Sequence, residues 1–93
     1  MKMTSRDVAQ LIDISAVQAP HGEAEIRELV ASARQEHFIA VHVLPCWVPL
    51  LRNLLAGSGI MIGAPVGFPG GAHRTEIKAA EARLLVEDGV PLV

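Results

Sequence analysis

Three polar side chains interrupt stretches that are otherwise apolar, and their types and spacing make them the best candidates for chemistry. Asp13 and Ser15 lie two positions apart within residues 11–17, so in a strand they project from the same side. His42 interrupts the apolar run 39–43. Polar groups buried without a hydrogen bond are costly, so inward-facing ones need partners or a pocket. The residues alone leave two interpretations open. Either the three side chains form a polar pocket, or Asp13 caps a turn, Ser15 is merely small and His42 is a hydrogen-bonded core residue.

Other chemistries find less support. His42 and Cys46 do not by themselves make a metal site, because structural sites use four ligands, and Cys46 is expected to be a small apolar filler. Neither Lys2 nor Lys78 has the apolar surroundings that a Schiff-base amine requires. The glycine-rich turn at 67–71 precedes a helix, where free amides bind anions. It lacks the P-loop lysine, so a conformational role for its glycines is favoured.

Alternating strands and helices must position these side chains. Strands are predicted at residues 11–17, 39–43 and 60–66, and helices at 4–10, 23–35, 46–56 and 74–87. Strands joined by helical crossovers pair in parallel. The predicted fold class is therefore α/β, with roughly three parallel strands and three to four helices in one domain over residues 1–93. Residues 90–93 are either the start of a fourth strand or a frayed tail. The last helix is expected to present one apolar face, made of Ile77, Ala80, Leu84 and Leu85.

The composition limits the choice of partners. Hydrophobic residues make up 51% of the 93 residues, more than such a small sheet and its helices can readily cover. This composition predicts a partner, an oligomer or a piece of something larger. A net charge of −2 without charge blocks does not favour a nucleic-acid or anionic-membrane partner. No stretch approaches the roughly 20 apolar residues of a membrane span. A single cysteine favours the reducing cytoplasm.

Four sequence strings resemble the amino-terminal portion of deoxyribose-phosphate aldolases. These are LIDIS, AVHVLPCWVPL, PVGFPGG and TEIKAAEARLLVEDG, within residues 11–89. The framework positions that match are Pro45, Pro49, Gly67, Phe68, Pro69 and Gly71. The resemblance implies the first βα units of a TIM (β/α)8 barrel, a fold of about 250 residues. It also implies a cytoplasmic class I aldolase of deoxyribonucleotide catabolism. That enzyme cleaves 2-deoxyribose 5-phosphate to glyceraldehyde 3-phosphate and acetaldehyde through a Schiff-base lysine, without a metal or cofactor.

The resemblance also implies roles for individual positions. Asp13 and Ser15 match the aspartate and hydroxyl residue of the family's first-strand motif, near the sugar phosphate, and His42 stands where many members have a pocket cysteine. The family's Schiff-base lysine and catalytic aspartate lie beyond the third helix and match no position here. No catalytic residue is therefore assigned, and the chain alone is expected to be inactive. The alternatives are a non-catalytic, self-associating α/β module and a small phosphate-binding module.

Overall fold

Strands and helices alternate along the chain in a computed structural model, which describes residues 2–93. The elements in order are α1 (Ser5–Ala9), β1 (Asp13–Ala16), α2 (Glu23–Glu36), β2 (Ala40–Val43), a 3-10 turn (Pro45–Trp47), α3 (Val48–Leu54), β3 (Met61–Gly63) and α4 (Thr75–Glu87). Every predicted element is present, but the strands are shorter than predicted. The first strand starts late because the amides of Leu11 and Ile12 bond back to the carbonyls of Val8 and Ala9, closing the turn after α1.

The three strands form one parallel sheet in the order β1-β2-β3. In its register Ala40 lies between Asp13 and Met61, and His42 lies between Ser15 and Gly63. The crossovers contain α2 and α3, as parallel pairing requires. The predicted parallel α/β arrangement is confirmed.

The end of the chain adds to this sheet. Leu92 forms a parallel bridge with Gly63. The Ala64 amide donates to the Leu92 carbonyl over 2.9 Å, and the Leu92 amide donates to the Ile62 carbonyl over 3.3 Å. Of the two expectations for residues 90–93, the start of a fourth strand is therefore right.

The hydrophobic core lies between the sheet and the helices. Val41 and Val43 are fully buried alternate residues of β2, so His42 between them projects from the opposite face. This pattern separates an apolar face, covered by helices, from a second face that carries the polar side chains. The largest fully buried side chains are Ile26, Leu51, Leu85, Val41, Val43 and Val48.

Helix α4 buries only part of its predicted apolar face. Leu85 is 2% exposed, but Ile77 and Leu84 are each 57% exposed, and Ala80 is also exposed. Of the predicted apolar face only Leu85 is buried, because the described sheet ends at β3 and Leu92 and leaves one side of α4 without a neighbour.

A capping box begins α1. The Asp7 amide donates to Thr4 Oγ1 over 3.1 Å, and the Thr4 amide donates to Asp7 Oδ2 over 2.9 Å. The hydrogen bond from the Thr4 backbone, followed by that with its hydroxyl, holds the pKa of Asp7 below its ordinary value. A carboxyl with a depressed pKa stabilises the fold above its ordinary pKa, and that contribution is lost as pH falls through the depressed value.

The Asp7→Asn variant is expected to unfold at a slightly lower temperature than the parent at neutral pH. In acid, once Asp7 is protonated in the folded parent, the two midpoints should converge, because neither chain then has a carboxylate in the capping box. Thermal unfolding followed by circular dichroism across pH measures the gap. A gap that is constant with pH would show that the Asp7 charge does not stabilise α1.

None of the helices within residues 2–93 has the length and apolar character needed to cross a membrane.

Candidate functional site

The inner face of the sheet, defined as the surface opposite α2 and α3, carries the polar residues singled out in the sequence. Strand alternation and register place six residues there: Asp13, Ser15, Ala40, His42, Met61 and Gly63. Asp13 Oδ1 lies 3.8 Å from His42 Nδ1, and Ser15 is the direct neighbour of His42 in the register. The structure therefore brings the three sequence-predicted pocket residues together on one surface.

The His42 ring lies over a glycine of the adjacent strand. A Cβ added to Gly63 would overlap the imidazole at Nε2, so the ring occupies the space that a side chain on β3 would need. Nδ1 is buried and has no hydrogen-bond partner among the described residues, although 31% of the His42 side chain is exposed. Sequence reasoning missed Gly63 as a site residue. A glycine inside a strand does signal close approach, but only the register reveals what approaches it.

Asp13 and His42 form a loose pair. Their separation of 3.8 Å exceeds hydrogen-bond length, and 57% of the Asp13 side chain is exposed. Such a pair can hold a proton, and it can bind a hydroxyl group of a ligand between a carboxylate and an imidazole.

The glycine-rich turn follows β3 at the carboxyl end of the sheet. Gly67 and Gly71 have φ angles of 65° and 69°, which favour glycine. The Gly67 amide donates to Glu81 Oε1 over 2.7 Å, and Lys78 Nζ donates to the Gly71 carbonyl over 2.9 Å. Two side chains of α4 therefore bind this turn.

The turn provides little support for an anion site. As predicted, a helix follows it, but α4 starts only at Thr75, after residues 72–74. The Glu81 carboxylate already occupies the Gly67 amide, and a fixed negative charge opposes a phosphate. The other framework residues of this turn are Phe68 and Pro69. Phe68 is 43% exposed, and the bond joining it to Pro69 is cis.

The prolines of the β2–α3 connection occupy helix-start positions. Pro45 begins the 3-10 turn and Pro49 lies in the first turn of α3, where an absent amide costs little. Cys46, expected to be an apolar filler, is exposed, because the 3-10 turn displaces it from the helix. Among residues 2–93, no cluster of three or more histidine, cysteine or acidic side chains is arranged to hold a metal ion.

A cleft of about 580 Å³ lies at the amino end of the strands. Its lining includes Arg6, Asp7, Arg34 and His37. Two of these are already engaged: Asp7 with Thr4, and Arg34 with the Leu54 carbonyl over 3.1 Å. The cleft lies at the opposite end of the sheet from the glycine-rich turn.

Comparisons with known proteins identify relatives of this arrangement. No protein-family model matches the chain. The deoxyribose-phosphate aldolase of Rhizobium meliloti is 56% identical over 88 residues, which cover 94% of this chain and 36% of the relative. Among solved structures, the deoxyribose phosphate aldolase of Aeropyrum pernix, described as having a unique tetrameric structure, is 26% identical with a TM-score of 0.84. That match covers 94% of this chain and 37% of the other.

A candidate deoxyribose-phosphate aldolase from Coccidioides immitis is also 26% identical, with a TM-score of 0.87 over 95% of this chain and 35% of its own. The chain thus spans little more than a third of the length of the proteins it matches. The three parallel strands and four helices within residues 2–93 correspond to the opening βα units of TIM-barrel aldolases. Over nearly its whole length, the chain is similar to the amino-terminal portion of deoxyribose-phosphate aldolases.

Proposed function

We propose that this chain supplies the opening section of a barrel that cleaves 2-deoxyribose 5-phosphate to glyceraldehyde 3-phosphate and acetaldehyde. The observation that carries the proposal is the 56% identity to an aldolase, and the inner face with Asp13 and His42 supports it. Barrels of this class bind substrates at the carboxyl ends of their strands. The proposal includes class I chemistry without a metal or cofactor, a cytoplasmic location and a role in deoxyribonucleotide catabolism.

In this proposal Asp13, Ser15 and His42 are accessory pocket residues and the reacting amine comes from outside this chain. Lys2 lies in an exposed segment before α1. Lys78 Nζ is bound to the Gly71 carbonyl. Neither amine belongs to the inner face, and Schiff-base formation needs a desolvated lysine beside the substrate. The chain alone is therefore proposed to be inactive.

A hybrid enzyme tests the proposal. In it, this chain replaces the matching 88 residues of the Rhizobium meliloti aldolase. The hybrid is expected to release acetaldehyde from 2-deoxyribose 5-phosphate and to form a covalent adduct trapped by borohydride. The isolated chain should do neither. A hybrid that unfolds cooperatively yet lacks both activities would contradict the proposed function, and an adduct on the isolated chain would contradict its inactivity.

Self-association of the isolated chain is proposed on separate evidence. Within the described residues β1 pairs only with β2, so its other edge is open, and open edges are templates for pairing. Several large apolar side chains are more than half exposed: Leu11, Ile77, Leu84 and Val86. Sedimentation should show concentration-dependent association. A folded monomer at all concentrations would exclude it.

A further inference from the structure

We infer that Asp13 fixes the neutral His42 side chain as its Nδ1–H tautomer, so that Nε2 accepts a hydrogen bond from a ligand hydroxyl group on the inner face. The tautomer follows from contacts within this chain. The ligand part deepens the proposed function and rests on it, because it requires the inner face to be the substrate-facing surface.

The position of the ring is set by its neighbours. His42 pairs with Gly63 in the register, and the Nε2 end of the imidazole lies where a Cβ on that residue would be. No other residue type leaves this space free. Gly63 therefore permits the ring to lean across β3, with Nδ1 turned towards the Asp13 carboxylate.

The position of the proton follows from the two nitrogen environments. Nδ1 is buried without a hydrogen-bond partner, and Asp13 Oδ1 lies 3.8 Å away. An ionised carboxylate can only accept hydrogen bonds. It attracts an N–H at Nδ1 and repels a lone pair there, and a small side-chain rotation would bring the two atoms to bonding distance. Neutral imidazole carries one N–H, so a proton on Nδ1 leaves a lone pair on Nε2.

This tautomer selects the chemistry of a ligand group. A lone pair on Nε2 binds a hydroxyl donor, whereas a phosphate or carbonyl oxygen offers only acceptors. Ser15 lies beside His42 in the same row of the inner face and adds a second hydroxyl-binding group. His42 and Ser15 are thus suited to bind a hydroxyl group of a sugar, and not its phosphate.

Long-range proton–nitrogen NMR of the ¹⁵N-labelled chain tests the tautomer directly. At about two pH units above the ordinary imidazole pKa of about 6.5, His42 should show a protonated Nδ1 and an unprotonated Nε2. Asp13→Ala should shift the population towards Nε2–H, while the exposed His37 and His73 side chains stay unchanged as internal controls. A parent His42 protonated at Nε2, or a tautomer indifferent to Asp13→Ala, would overturn the inference. The parent spectrum decides even if the variant fails to fold.

The hybrid enzyme tests the ligand role. His42→Gln keeps an oxygen acceptor near the position of Nε2, whereas His42→Leu removes it. His42→Leu should raise KM for 2-deoxyribose 5-phosphate by about tenfold, the worth of one hydrogen bond of about 1.4 kcal/mol, and His42→Gln should restore most of the loss. Equal KM values in both variants would refute hydroxyl binding by Nε2. An inactive hybrid with the expected NMR result would refute the proposed function but leave the tautomer standing.

Discussion

The Leu85→Ala variant is expected to lose about 2–5 kcal/mol in free energy of unfolding, the range measured for buried leucines. Leu85 is 2% exposed and is the one residue of α4 within the hydrophobic core. Removing it deletes the buried contact that holds α4 to the sheet and leaves a cavity. Urea unfolding followed by circular dichroism measures the change.

The next residue provides a matched control. Leu84→Ala makes the same chemical change in the same helix, but Leu84 is 57% exposed. Its effect should stay within about 0.5 kcal/mol, as for surface substitutions. Equal losses for the two variants would mean that Leu84 is covered in solution. Self-association through α4 would produce that result, and repeating the measurement at several protein concentrations would identify it.

The Gly63→Ala variant is expected to cost about 1–3 kcal/mol, because the new methyl group overlaps the His42 ring and forces it from its position. The backbone of Gly63 is not in the left-handed region reserved for glycine, so the cost arises from the ring. A double-mutant cycle with His42→Ala isolates the part of the cost that comes from the ring. Once the ring is removed, Gly63→Ala should lose most of its effect, giving a coupling of at least about 0.5 kcal/mol.

Gly70→Ala serves as the control for this cycle. A Cβ there meets no atom within 4 Å, and its φ is also not positive. The free energy of unfolding of this variant should stay close to that of the chain with Gly70 intact, whether or not His42 is present. A Gly63→Ala effect that is the same in both backgrounds would show that His42 does not occupy the space over β3.

The parallel α/β arrangement could be predicted because its signals are local. Apolar runs of four to seven residues alternate with helical stretches, and parallel strands need such crossovers. Asp13 and His42 could likewise be picked out as polar interruptions. Their placement on one face follows from alternation once the register is known, but the register depends on how the crossovers pack, and no local pattern encodes that.

The errors have the same physical origin. Glu81 and Lys78 look like solvent-facing residues of α4, yet both reach the turn at Gly67 and Gly71, which is near in space and distant in sequence. The apolar face predicted for α4 is buried only in part, because burial depends on what packs against the helix. Leu85 packs in the hydrophobic core, whereas Leu84 is more than half exposed.

The central claim is that the inner face with Asp13 is the wall of an aldolase pocket. The most direct test of this claim is to measure kcat/KM of the hybrid enzyme that carries Asp13→Asn. This isosteric change removes the charge beside His42, and kcat/KM should fall by at least about tenfold, since groups that assist proton transfer contribute 10²–10⁴-fold. Asp7→Asn, an equal change in the capping box of α1, should leave kcat/KM near the parent value. If Asp13→Asn cleaves 2-deoxyribose 5-phosphate as well as Asp7→Asn does, the inner face is not that wall.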